Sequence, residues 1–256
     1  MKLNMKEMQS IVNEMLNQTI EICEKNSILY YAQAGTVLGA VRHDGPIPWD
    51  HDADIIIPNN EIDRFVSCMQ RDLPEKYYID YYTVFSKNLR QFPRVGLKGY
   101  SSKNLHLDIF RLIGLPDSRE EQIKMIKEAR MYTKNNSAIR NEWWKTIIKG
   151  EGKYLIYKFG FEKYPETYFV EKFSDLCSRY PYETATYVMN PSGKYGEKNI
   201  FKKEVYGQGK NHKYDSFSIR IPSETDFYLK QYYGNYMEYP PSDYIEKEMN
   251  QIFDIK

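Results

Sequence analysis

Between Trp49 and Pro58 the chain reads WDHDADIIIP, with Asp50, Asp52 and Asp54 at every second position just ahead of a run of isoleucines. In an extended strand alternate side chains share a face, so Asp52 and Asp54 are expected to project together, close enough to share a cation. Carboxylates held that near repel unless a proton or a metal lies between them. An oxygen-ligand site at the mouth of a strand suits Mg2+ or Mn2+, with substrate phosphates completing the coordination. A further acid, Asp108, stands among apolar residues in LHLDIFRL, where a bare carboxylate is costly to bury. It needs a cation or hydrogen bonds, and a metal or an arginine such as Arg94 or Arg111 would serve.

Upstream, Gly35 and Thr36 open the small-residue stretch GTVLGAV, which reads as a tight turn entering a helix. A glycine followed by a hydroxyl residue at a helix start leaves backbone N–H groups free to hold a phosphate, with the hydroxyl as an extra donor. Arg42 and His43 follow within two turns. An arginine fork matches a diphosphate, although a structural pair with a neighbouring aspartate accounts for Arg42 equally well. Arg94 and Lys98, on one face of the strand in RVGLKGY, could reach nucleotide phosphates or simply form a solvated face. Trp49 reads as a packing anchor for the Gly-Pro-Ile-Pro loop, Asp44 as loop, and His51 as a surface residue or a phosphate donor, while Asp50 stays open.

The elements that must carry these groups follow from periodicity. Met5, Met8, Val12, Met15, Leu16, Ile20 and Cys23 recur at helical spacing and predict an amphipathic helix from about 4 to 26. ILYYAQA is strand-like, ADIIIP is a buried strand stopped by Pro58, and NNEIDRFVSCMQRDLP is a helix capped by an asparagine and ended by Pro74. YYIDYYTV and HLDIFRLIGL are further strands, and a capping box of Ser118 with Glu121 opens a helix running to about Tyr132. AIRNEWWKTIIKG, ETYFVEKFSDLCSRY and a last helix from Ser223 to Gly234 make the rest mainly helical. The expected fold is α+β: residues 1–116 hold the N-terminal helix and a core of short mixed sheet flanked by helices, and residues 117–256 form an aromatic-rich helical lobe that packs back on it.

Composition limits the partners. Thirty-six Lys and Arg against thirty-five Asp and Glu give a formal charge of +1, which offers no general attraction for nucleic acid or an anionic membrane. The three cysteines lack C-x-x-C spacing and predict neither a disulfide framework nor a zinc site, so a reducing, cytoplasmic setting fits. No signal-peptide core or apolar run of about eighteen residues is present, so no transmembrane segment is expected. Tyrosines number 24, and most are expected to pack rather than to line a cation cage.

The order of Gly-Thr, D-x-D and a later lone acid resembles the nucleotidyltransferase superfamily. The longer stretch AGTVLGAVRHDGPIPWDHDADIIIP resembles the LicD family of phosphocholine transferases, which includes the fukutin-related proteins, and YDSFSIRIPSETDFYLKQYYGNYMEYPP resembles that family's C-terminal end. The resemblance implies a nucleotidyltransferase-like core with Gly35 and Thr36 on the phosphate turn and Asp52, Asp54 and Asp108 holding Mg2+ or Mn2+. His51 departs from the family pattern, standing where an acid is usual. The implied reaction is transfer of a phospho-alcohol, phosphocholine first, from a CDP-linked donor such as CDP-choline to a sugar hydroxyl of a glycan, releasing CMP. One of the three acids, Asp108 first, would take the hydroxyl proton. A lipid-linked acceptor would bring the protein to the inner face of the membrane. CDP-ribitol, CDP-glycerol or an NTP as donor, or a non-catalytic nucleotide-binding role in a polysaccharide pathway, stay open as alternatives.

Overall fold

In a computed structural model, residues 2–84, 89–100, 105–140 and 165–255 are described. The first helix, α1 (Met5–Lys25), follows a short strand, β1 (Lys2–Asn4). Its start is fixed by a capping box that periodicity alone does not reveal: Asn4 N–H donates to Glu7 Oε2 at 2.8 Å, and Glu7 N–H to Asn4 Oδ1 at 3.0 Å. The apolar stripe of α1, Met8, Met15, Leu16 and Cys23, is fully buried.

A mixed sheet of seven strands forms the centre. The strands β2 (Tyr31–Ala32), β3 (Asp54–Pro58), β6 (His106–Leu115), β5 (Arg94–Leu97) and β4 (Tyr77–Asp80) lie side by side in that order. Among the described residues only β3 and β6 run parallel, while β7 (Tyr187–Met189) pairs with the far half of β6 and β8 (Ile200–Lys202) with β7, both antiparallel. The sheet is therefore not confined to the first 116 residues. Ile55, Ile56 and Ile57 are wholly buried in β3, each contributing about 1.5–3 kcal/mol of apolar burial.

The helix α2 (Gly35–His43) leads into β3, and α3 (Ile62–Asp72) follows it after a single 3-10 turn, Asn59–Glu61. The expected asparagine cap of α3 does not form, because the 3-10 turn occupies Asn59 and puts Glu61 at the cap, with no side-chain cap bond. The strand expected over YYIDYYTV stops at Asp80, and the helix expected to end near Tyr132 runs on as α4 (Arg119–Arg140). Next come α5 (Tyr168–Cys177) and the single-turn α6 (Lys203–Tyr206). The helix expected over AIRNEWWKTIIKG falls mostly on 141–150, outside the described residues.

The C-terminal region carries a hairpin, β9 (Lys210–Tyr214) with β10 (Phe217–Ile221), then α7 (Thr225–Tyr233). A further helix, α8 (Ser242–Met249), follows α7, which the sequence pattern marks as the last. No residue of α8 is buried, so no apolar stripe announces it. The last strand, β11 (Ile252–Asp254), pairs antiparallel with β1 and closes the chain on its own start.

Two hydrophobic clusters result. The larger joins α1, the sheet and the C-terminal tyrosines Tyr206, Tyr214, Tyr228 and Tyr232, so residues beyond 200 complete the core begun by the first hundred. The smaller lies where α4 and α5 cover the far half of β6. Cys23, Cys68 and Cys177 are free and buried.

Candidate active site

Strand register brings the acids together. Asp54 on β3 is paired in register with Asp108 on β6, and Asp108 with Arg94 on β5. Residues directly opposite across a sheet share a face, so Asp54, Asp108 and Arg94 form a row across three strands. Arg94 grips Asp108 with both forks, Nε to Oδ1 and Nη2 to Oδ2 at 3.1 Å. The arginine partner offered by the sequence for Asp108 is therefore Arg94. Arg111 instead donates to Asn59, Tyr81 and Ser174 and to the Gln91 carbonyl. His106, two residues before Asp108 on the same face, brings Nε2 to 3.6 Å from Asp108 Oδ1. Burial lowers the pKa of His106, against the pull of Asp108.

Asp54 has no such partner. Its side chain makes no hydrogen bond or ion pair among the described residues, and burial, then the charges of Asp108, Asp52 and Asp50, raise its pKa well above the carboxylate range, with Arg94 opposing. Asp52 is not on the strand, because β3 begins at Asp54. The strand therefore stops two residues short of Asp52, and the alternation argument that paired Asp52 with Asp54 does not reach it. Asp52 projects from the loop, 54% exposed, with Oδ1 at 3.2 Å from His51 Nε2, and His51 rests on the Phe253 ring. Asp50 accepts the Asp52 N–H at Oδ1, and burial, with the charge of Asp52, raises its pKa.

The phosphate turn predicted at Gly35 and Thr36 lies beside these acids. The Thr36 hydroxyl accepts the Asp54 N–H at 2.8 Å, which fixes the start of β3 and leaves the O–H able to donate. The Thr36 N–H is already bound to the Gln33 carbonyl. A Cβ on Gly35 would lie 3.4 Å from Asp50 Oδ2, so the turn and the acid are in contact. Ala34, the N-cap, has φ 46 and ψ −110, a region that costs a non-glycine residue about 1–3 kcal/mol. A buried polar chain holds it there. Ala34 N–H donates to Tyr228 Oη, Tyr228 O–H to Gln33 Oε1, Gln33 Nε2 to Tyr232 Oη, and Tyr232 O–H to Asn199 Oδ1.

A cavity of about 370 Å³ opens over this row, lined by Gly35, Thr36, the four aspartates 50, 52, 54 and 108, and the segment from Asn190 to Tyr195. A larger cleft of about 1060 Å³ runs past Arg119, Glu197, Phe227 and Gln231, and none of these aspartates lines it. The predicted acids therefore share the smaller one. Four predicted residues do not line it, and one of them, Arg94, is held against Asp108. Arg42 donates to the Tyr236 and Glu238 carbonyls and stacks between Trp49 and Tyr239, while His43 packs edge-on against the same two rings. Trp49 thus packs as expected. Lys98 is exposed beyond the end of β5.

Sequence reading missed the far wall, which supplies Asn190, Ser192, Lys194 and Tyr195 together with Tyr233. Its signal was the turn-rich run NPSGKYG with one lysine inside it.

Asp54 and Asp108 of the row, with Asp52 from the loop beside it, present carboxylate oxygens to the cleft. Among the described residues no group of three or more His, Cys, Asp or Glu side chains is placed so that together they could hold a metal ion. Mg2+ keeps waters and substrate phosphates and asks the protein for only one or two carboxylates, a smaller demand than a three-ligand group.

Residues 27–153 match the family model described as LicD/FKTN/FKRP, nucleotidyltransferase domain. Over 256 aligned residues, 94% of each chain, the protein is 24% identical to the lipopolysaccharide cholinephosphotransferase LicD of Haemophilus influenzae. Uncharacterized proteins of Rickettsia typhi and Rickettsia prowazekii are 40% and 41% identical over 68 and 69 residues, spanning 27% of this chain and only 21% and 24% of theirs.

Proposed function

The chain belongs to the LicD family of phosphotransferases, and we propose that it transfers phosphocholine from CDP-choline to a sugar hydroxyl of a cell-surface glycan, releasing CMP. The observation that carries the reading is Asp54: a carboxylate crowded by three others, without a cationic partner of its own, at the floor of a cleft that also holds the Gly35–Thr36 turn. Such a carboxylate calls for a cation, and Mg2+ or Mn2+ held by Asp52, Asp54 and Asp108 would neutralise donor phosphates there.

The chemistry asks little covalent work of the protein. The acceptor oxygen bonds to the phosphorus that carries choline, the bond from that phosphorus to the bridging oxygen breaks, and CMP departs with the electron pair. The hydroxyl proton passes to a carboxylate. Both oxygens of Asp108 are engaged by Arg94, so Asp108, the base first suggested by the sequence, yields that role to Asp50, the cleft aspartate not asked to hold the metal. The Thr36 O–H donates to a donor phosphate, and Phe110, Tyr195 and Tyr233 at the cleft offer aromatic faces to a quaternary ammonium.

Among the described residues no helix is long and apolar enough to cross a membrane. A lipid-linked acceptor reached from the cytoplasmic side of the inner membrane fits this reading. The test is a turnover panel of CDP-choline, CDP-ribitol and CDP-glycerol with Mg2+ and a sugar acceptor, following CMP release and acceptor mass. CDP-choline is expected to give both products, and absence of transfer from all three donors overturns the reading.

A further inference from the structure

The far wall of the cleft is more elaborately held than a surface loop requires. Asn199, 2% exposed, donates from Nδ2 to the Gly193 carbonyl at 3.0 Å and to the Gly196 carbonyl at 3.1 Å, while its Oδ1 accepts from Tyr232. Gly193 must be glycine, since a Cβ there would lie 2.4 Å from Asn199 Oδ1. Asn190 closes the turn from the other side, its Oδ1 accepting the Ser192 N–H at 2.9 Å. Between these anchors stands Lys194. It is exposed, it is the one lysine or arginine among the described residues that line the cleft, and it makes no ion pair among the described residues. Its ammonium lies 5.5 Å from the ring centroid of Tyr195, and its charge acts on Asp50.

One divalent cation does not reverse the sign of a cleft lined by four carboxylates, so an anionic ligand needs a further positive group. We propose that Lys194 binds the diphosphate of the donor and that Asn199 is the positioning residue that holds its loop at the cleft, an inference that rests on the nucleotide-donor reading above. Lysine suits the task as a mobile point charge on a flexible stem, and the rigid loop fixes where that stem begins. The chain of hydrogen bonds from Asn199 through Tyr232, Gln33 and Tyr228 to Ala34 ties this loop to the Gly35–Thr36 turn, so both phosphate-facing segments are set by one buried network.

The test is calorimetric titration of CDP and of inorganic pyrophosphate, each with Mg2+, into the full chain and the variants Lys194→Ala, Lys194→Arg, Asn199→Asp and the double variant Lys194→Ala/Asn199→Asp. Lys194→Ala is expected to weaken both probes by about 10-fold or more, the loss of one charge-assisted contact, with the melting temperature of the free protein unchanged. Lys194→Arg restores most of the affinity. Asn199→Asp weakens binding in the parent chain and adds nothing in the Lys194→Ala background, because it acts through that lysine. Undiminished binding of both probes by Lys194→Ala overturns the proposal and leaves the transfer reaction standing. No affinity of the parent chain for either probe overturns both. Lys194-dependent binding without turnover of any CDP-alcohol supports the proposal and overturns the transfer reaction.

Discussion

Asp54 and Asp108 stand in register on the parallel strands β3 and β6, and Arg94 neutralises only the second of them. The row thus contains one carboxylate that is satisfied in the free protein and one that is not. Stability and ligand binding should part company at these two positions.

Replacing Asp54 by Asn is expected to raise the melting temperature of the free protein at neutral pH while cutting transfer by roughly 100-fold or more. The stability gain follows from the raised pKa. The folded chain holds the Asp54 proton more tightly than the unfolded chain, so the parent protein loses stability as pH climbs from the ordinary carboxylate range through the folded-state value. Denaturation midpoints across that range check this, and the Asp54→Asn variant should show a flatter profile.

Arg94→Met should destabilise the protein by about 3 kcal/mol, because it strands Asp108 as a buried, unpaired charge. Adding Asp108→Asn should return much of that loss. A double-mutant cycle by urea denaturation measures the coupling, and strict additivity of the two changes would contradict the pairing.

Tyr228→Phe removes the acceptor of the Ala34 N–H and the donor to Gln33, leaving two buried groups unsatisfied. A loss of about 1–3 kcal/mol is expected on denaturant unfolding. Because Ala34 caps the Gly35–Thr36 turn proposed to hold the donor phosphate, KM for the donor should rise as well, and an unchanged KM would show that the turn does not depend on this network.

Arg42→Lys separates two readings of a residue that sequence alone offered as a phosphate ligand. The guanidinium is occupied by the Tyr236 and Glu238 carbonyls and by the rings of Trp49 and Tyr239. Stability should fall by about 1–2 kcal/mol while CDP affinity holds. A large loss of CDP affinity at unchanged stability would return Arg42 to the site.

What the sequence disclosed was local. The amphipathic stripe of α1, the isoleucine strand β3 and the placing of Asp52 and Asp54 at its mouth are periodicity and composition, readable within a short window. The partner of Asp108 could be narrowed to two arginines, but choosing between Arg94 and Arg111 requires the register of β5 on β6, a non-local property. The wall from Asn190 to Asn199 was illegible for the same reason. It lies more than 130 residues from Asp54, and only the pairing of β7 with β6 and the packing of α7 return it to the acids. Helix α8 buries nothing, so it left no pattern to read.

If the aspartates of this cleft bind a divalent cation together with a CDP-linked alcohol, thermal denaturation with and without 100-fold excess CDP-choline over its Kd and saturating Mg2+ will register it. Ligand at that level stabilises the folded chain by about 2.7 kcal/mol, which for a protein of this size raises the melting temperature by roughly 5–10 °C. That rise is expected in the parent chain, dependent on Mg2+ or Mn2+, and lost in both Asp52→Asn and Asp54→Asn. An equal rise without metal, or in both variants, would contradict it.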